Sequence, residues 1–146
     1  MGERVSDRIT IEASPDTVWG TITDLETYPE WADGVRSIEV LAANDDGSPK
    51  QARFTIDARV SEVTYVIAYS YEGYDITWTL IEGDTISQLD GAYRLFETDD
   101  GGTEVEYDLE VDVDLPLPAF MKKRAARTIL EQGLAGLKTR AESQEG

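Results

Sequence analysis

At 146 residues, with 40% apolar and 29% charged side chains, the chain has the size and make-up of one globular domain that buries roughly two thirds of its unfolded surface. It contains neither cysteine nor histidine, which excludes disulfides, thiolate chemistry, Ser–His or Cys–His nucleophiles and the usual zinc sites. A net charge of −17 repels nucleic-acid phosphates and anionic lipid, and reads first as a solubility device.

No apolar run approaches the roughly 18–20 residues that span a bilayer, and no basic-then-apolar leader opens the chain, so a cytoplasmic protein is expected. The spacing of an EF-hand loop is missing, and Gly101-Gly102 is a turn with no phosphate-binding Gly-Lys-Ser/Thr after it. No metal and no cofactor is expected.

The first strand signal covers about Val5–Ala13. Ser14 then caps a short helix with Pro15 at its first position, where a missing N–H costs nothing. Trp19 and Ile22 share one face of it. A second short turn, Leu25–Trp31, packs Tyr28 and Trp31 around Pro29 before strand signals resume at Val35. Two small helices inserted between strands suggest a sheet curled around something.

The middle of the chain is registered by its turns. A two-residue loop at Ser61-Glu62 pairs Ala58 with Tyr65, Ile56 with Ile67 and Phe54 with Tyr69. A turn at Glu72–Asp75 sets Tyr69 opposite Trp78 and Ile67 opposite Leu80. A loop at Thr98–Gly102 pairs Leu95 with Val105, Tyr93 with Tyr107, Gly91 with Leu109 and Leu89 with Val111. All three registers put apolar and aromatic residues on one face. Arg53, Thr55, Asp57, Arg59, Ser70, Thr77, Thr79 and Glu106 fall on the other. The last strand is the clearest, because acids at 104, 106, 108, 110, 112 and 114 alternate with Val105, Tyr107, Leu109, Val111 and Val113. Such a strand has one wet and one buried face.

Leu115-Pro116-Leu117-Pro118 ends that strand, and a helix of about 119–141 follows. Ala126, Ile129, Leu130, Leu134, Leu137 and Ala141 recur on it at three- and four-residue spacing, as the cover for the sheet. Only Met1–Glu3 and Glu142–Gly146 look frayed. Six of the 13 basic residues lie in this helix. Lys122, Lys123, Arg124 and Arg127 either pair with acids of the neighbouring strand or meet lipid phosphates in a transient membrane contact.

The covered face carries Tyr65, Tyr69, Tyr93, Tyr107 and Trp78. A buried phenol left unpaired costs on the order of 1–3 kcal/mol, and one apolar helix face does not satisfy four hydroxyls. Gly133 and Gly136 interrupt good helix formers at a cost of about 1 kcal/mol each, which points to close approach or to space. Two readings follow: a cavity between sheet and helix, or a filled core whose tyrosines bond to backbone or to each other.

Ser14-Pro15-Asp16-Thr17-Val18-Trp19, Asp24-Leu25 with Tyr28-Pro29 and Trp31, Trp78-x-Leu80-x-Glu82-Gly83, Gly91-x-Tyr93-x-Leu95 and Gly101-Gly102-Thr103-x-Val105-x-Tyr107 form an ordered set. From about Arg8 to Leu137 the chain resembles the bacterial polyketide cyclase/dehydrase and lipid-transport family, within the START and Bet v 1-like (SRPBCC) group. The resemblance implies one α+β domain over residues 1–146 with a helix-grip fold. In that fold a seven-stranded antiparallel sheet wraps a long C-terminal helix, and a hydrophobic pocket lies between them.

The resulting expectation is a binder or carrier of a lipid, isoprenoid or aromatic polyketide. Its lining residues are Trp31, Phe54, Ile56, Ile67, Tyr69, Trp78, Leu80, Tyr93, Tyr107, Leu109, Ile129, Gly133 and Leu137. Trp31 stands either at the pocket mouth or as a staple for the second helix. The alternative is a cyclase or dehydrase with Tyr93 and Tyr107 as hydrogen-bond donors, for which Asp24 and Glu26 are the nearest candidate bases.

Overall fold

A computed structural model describes residues 3–32, 34–57 and 62–145. Strand β1 (Glu3–Ile11) leads into α1 (Pro15–Thr23), a 3₁₀ turn (Leu25–Thr27) and α2 (Tyr28–Trp31). Six strands follow: β2 (Val35–Ala43), β3 (Pro49–Asp57), β4 (Glu62–Glu72), β5 (Asp75–Gly83), β6 (Ile86–Glu97) and β7 (Thr103–Val113). Helix α3 (Ala119–Glu145) closes the chain. The strands form one antiparallel sheet in the order β1-β7-β6-β5-β4-β3-β2, a meander whose last strand takes β1 on its free edge.

Local chemistry accounts for the element ends. The Ser14 hydroxyl accepts the Thr17 backbone N–H at 3.3 Å, and Pro15 occupies the first turn of α1. Strand β1 begins and ends two residues earlier than its hydrophobicity suggests. Its pairing with β7 runs from Glu3–Val111 to Ile11–Thr103, and the chain must then turn to reach the Ser14 cap. The α3 helix runs on to Glu145, past the expected end at 141. The Glu142 carboxylate receives the Glu12 N–H at 2.9 Å and the Lys138 ammonium at 2.7 Å, tying this last turn to the end of β1. Of the two ends expected to fray, Glu3 is thus paired and Glu142 anchored; Met1, Gly2 and Gly146 lie outside the described residues.

Two of the three registers hold as expected. Tyr69 faces Trp78 and Ile67 faces Leu80 across β4–β5. Across β6–β7, Leu95 faces Val105, Tyr93 faces Tyr107, Gly91 faces Leu109 and Leu89 faces Val111. The third is corrected. Phe54 faces Tyr65 and Ile56 faces Val63, so β4 has slid by four residues, and the connection after Asp57 is longer than a two-residue turn. Ala58 and Arg59 lie outside the described residues. Because side chains alternate with a period of two, an even slip leaves every side chain on its expected face.

The α3 helix approaches the sheet along β1 and β7 and rests against α1. Ala126, Leu130, Leu134, Leu137 and Ala141 are buried there. Ile129 is not: it is 51% exposed, which corrects its place in the stripe. At roughly 100° per residue it stands a full step away from Leu130. The tyrosines of β4, β6 and β7 gather on the same covered face.

Candidate functional site

Alternation along β4, β6 and β7 directs Tyr65, Tyr69, Tyr71, Tyr93 and Tyr107 to the face that α3 covers. Their rings make a chain. Tyr93 and Tyr107 lie 4.5 Å apart between centroids, Trp78 lies 5.4 Å from Tyr93 and 5.9 Å from Tyr107, and Tyr69 sits 6.2 Å from Trp78. Phe54 stacks on Tyr65 at 5.3 Å and meets Tyr28 at 6.2 Å, and Tyr28 packs on Trp31 at 4.6 Å. Two glycines make room for this. Trp78 lies over Gly91, its cross-strand partner, where any Cβ would collide with the indole. A Cβ on Gly133 would stand 3.2 Å from the Tyr107 ring and 3.8 Å from the Tyr93 hydroxyl, so the helix meets the phenols closely at this point.

Desolvation raises the phenol pKa values of Tyr28, Tyr65, Tyr69, Tyr93 and Tyr107 above the ordinary value of 10.0. The neighbours push further, since Tyr65, Tyr71, Tyr93 and Tyr107 each raise the Tyr69 phenol. Their fates differ. Tyr28 donates to the Ile22 carbonyl and Tyr71 to the Pro49 carbonyl. Tyr93 and Tyr107 act on each other. Among the described residues the one buried side-chain nitrogen or oxygen without a partner is Trp31 Nε1, so no tyrosine hydroxyl is both sealed from solvent and unpaired. The sequence reading had missed Tyr28 and Tyr71 as members of this cluster. The signal for Tyr71 was plain, two residues beyond Tyr69 on the same strand face.

Of the other expected lining residues, Phe54, Ile67, Leu109 and Leu137 are buried in the core. Ile56, Trp78, Leu80 and Trp31 are half-buried around it. Trp31 packs as a staple: its carbonyl and the Cε3 edge of its ring rest against Gly136 of α3, and its indole Nε1 is buried without an acceptor. An open groove of about 550 Å³ runs beside it between α2 and α3, its walls joined by the Arg140–Glu30 ion pair at 3.1 Å. A second, of about 460 Å³, lies by Tyr71, Trp19 and Asp46, so the aromatic chain reaches an open groove at each end.

Among the described residues no carboxylate is buried in the interior. Asp24 and Glu26 are exposed, which removes them from the buried face. Apart from tyrosines and tryptophans, the buried polar side chains among the described residues are Thr21 and Thr103, each donating to a backbone carbonyl. Phenols with raised pKa donate hydrogen bonds at neutral pH but do not take up protons. No group of three or more carboxylates able to hold a metal ion occurs among the described residues. In the basic cluster, Lys122 pairs with Asp112 at 3.2 Å. Lys123, Arg124 and Arg127 are exposed and form no ion pair among the described residues, and Phe120 beside them is 64% exposed.

A sheet wrapped on a long C-terminal helix over a phenol-lined interior defines a helix-grip protein of the START/Bet v 1-like type. The chain belongs to the polyketide cyclase/dehydrase and lipid transport family, whose model matches residues 3–142. Among solved structures it is similar to a START superfamily protein from Mycobacterium smegmatis, with 28% identity, a TM-score of 0.91 and coverage of 98% of this chain and 99% of that one. It also shares its fold with the Zhui aromatase/cyclase from Streptomyces sp. R1128, with 15% identity, a TM-score of 0.79 and coverage of 99% and 94%. The fold extends to Ara h 8.0201, with 16% identity, a TM-score of 0.70 and coverage of 99% and 97%. No curated protein matches the chain.

Proposed function

We propose that this protein binds or carries a hydrophobic small molecule, a lipid, isoprenoid or aromatic polyketide, in the interior between the sheet and α3. The observation that carries the reading is the gathering of aromatic rings, Tyr69, Trp78, Tyr93 and Tyr107 among them, on the covered face, in a core where no charged side chain is buried among the described residues. Phenol hydroxyls on an otherwise apolar wall can orient a guest by hydrogen bonding while the apolar side chains supply affinity. Half-buried Ile56, Tyr65, Trp78 and Leu80 give the guest an apolar rim. The family description points the same way. The cyclase reading ranks second: Tyr93 and Tyr107 offer donors for an enolate, but among the described residues no buried carboxylate stands by to take the α-proton.

Exposed Phe120 and Met121 beside Lys123, Arg124 and Arg127 make a patch suited to a brief contact with an anionic bilayer, through which a guest is handed over. We place the protein in the cytoplasm. The test is native mass spectrometry of protein purified from its own host, followed by transfer of the bound compound to anionic vesicles. A co-purifying apolar compound whose transfer slows on neutralising Lys123, Arg124 and Arg127 is expected. Protein that carries nothing and takes up no hydrophobic fluorophore overturns the reading.

A further inference from the structure

The groove of about 460 Å³ at the Tyr71 end of the aromatic chain is walled by three elements. Trp19 and Thr23 come from α1, Asp46, Ser48 and Pro49 from the connection of β2 to β3 and its first residue, and Tyr71 from the end of β4. The Tyr71 hydroxyl donates to the Pro49 carbonyl, which ties its ring to that connection. Trp19 meets Tyr71 at 6.1 Å with the ring planes 73° apart. In such an edge-to-face pair the ring that offers its edge keeps both faces clear of its partner, so a negative π face stays open to a third group.

The polar groups of this wall already donate inward. Thr23 gives its hydroxyl proton to the Trp19 carbonyl at 2.9 Å, and Ser48 gives its N–H at 3.0 Å and its hydroxyl at 2.6 Å to Asp46 Oδ1. What remains is acceptors. Asp46 Oδ2 meets no donor, and the carboxylate no cation, among the described residues. The Ser48 bonds lower the Asp46 pKa and keep it ionised. Burial first, and then the Asp46 charge, raise the Tyr71 phenol to about 12, which sets the carboxylate beside that ring. Thr23 ends α1 at the negative pole of its dipole, with no basic side chain in the last turn. None of the wall residues is basic, and a net charge of −17 draws cations.

Three kinds of cation answer this wall differently. A hard metal ion needs several oxygen ligands, and the groove offers a single carboxylate. A guanidinium fork is best met by two free carboxylate oxygens, and Asp46 has one. An alkylated ammonium brings few N–H donors or none, and its charged methyl groups lie on aromatic faces. We propose that this groove is a second binding site, separate from the interior, which takes the alkylated ammonium group of a small organic cation between Asp46 and the rings of Trp19 and Tyr71.

The test titrates the full chain with choline, with its neutral isostere 3,3-dimethyl-1-butanol and with ethanolamine, at ionic strength matched by sodium chloride. Amide and indole NMR shifts report the position. Choline is expected to move the Trp19 indole and the Asp46 and Ser48 amides saturably, and to bind at least about fivefold more tightly than the isostere. Asp46→Asn keeps an oxygen for the Ser48 donors on an exposed turn, and should weaken choline about two- to fivefold without changing the isostere. Trp19→Leu should abolish saturation. Isostere binding as tight as that of choline, ethanolamine binding tighter than choline, or choline binding unmoved by Asp46→Asn overturns the proposal. So do choline shifts that never saturate at the groove. Each of these outcomes leaves the interior-binding reading untouched.

Discussion

Replacing Gly136 by alanine sets two known effects against each other. Within a helix the change from glycine to alanine is worth about 1 kcal/mol in favour of folding. The new Cβ, however, would stand 2.6 Å from the Trp31 carbonyl oxygen and 3.3 Å from Trp31 Cε3, where ordinary contact begins near 3.4 Å. The nearer obstacle is backbone, which does not swing aside as a side-chain tip does. Relief therefore requires α2 to lift from α3, and overpacking of this kind costs about 1–3 kcal/mol. The balance is a net loss of up to about 2 kcal/mol, or a fall in Tm of up to about 4–8 °C for a chain of this size. Gly20→Ala in α1 is the matched control. Its Cβ would meet nothing within 4 Å, so the propensity gain stands alone and Tm should rise by about 2–4 °C. Differential scanning calorimetry reads both, and tryptophan fluorescence reports whether Trp31 has moved. If Gly136→Ala raises Tm as much as Gly20→Ala does, α2 is not held by that close approach and the account of Trp31 as a staple fails.

Two further expectations concern pH. The Glu12 N–H and Lys138 hold the Glu142 carboxyl below its ordinary value of 4.5, so its contribution is complete above pH 4.5 and is lost as pH falls through the lowered folded value. Glu142→Gln should flatten the acid limb of stability against pH in urea unfolding; an unchanged limb would mean that the contact does not anchor α3. At the alkaline end all seven tyrosines are raised, Tyr71 to about 12, mainly by burial except in Tyr74, where the hydrogen bond to Asp16 leads. The folded state then holds its phenol protons beyond pH 10, and stability declines as pH rises past that value. Phenolate absorbance should stay low between pH 10 and 11 and appear only with unfolding. Free titration near 10 in a folded protein would contradict a desolvated cluster.

Much of the fold was legible because the signals that set it are local. Acids alternating along β7 determine which face is wet, and the lengths of the Glu72–Asp75 and Thr98–Gly102 turns determine two registers by counting. The β3–β4 register escaped because Ser61-Glu62 carries no strong turn chemistry, and a slip of four residues leaves the hydrophobic pattern unaltered. Ile129 escaped because spacing alone does not separate the edge of a stripe from its centre. The sequence by itself determined that the tyrosines share one face, that glycines notch the helix above them, and that no histidine or cysteine stands among them. Only the tertiary structure decided which donor finds a carbonyl, as Tyr28 finds that of Ile22, and which is buried without an acceptor, as the Trp31 indole N–H is. Alternation along a strand sets a residue's face, but the partner of a hydroxyl depends on side-chain rotation and on the position of backbone far away in the chain.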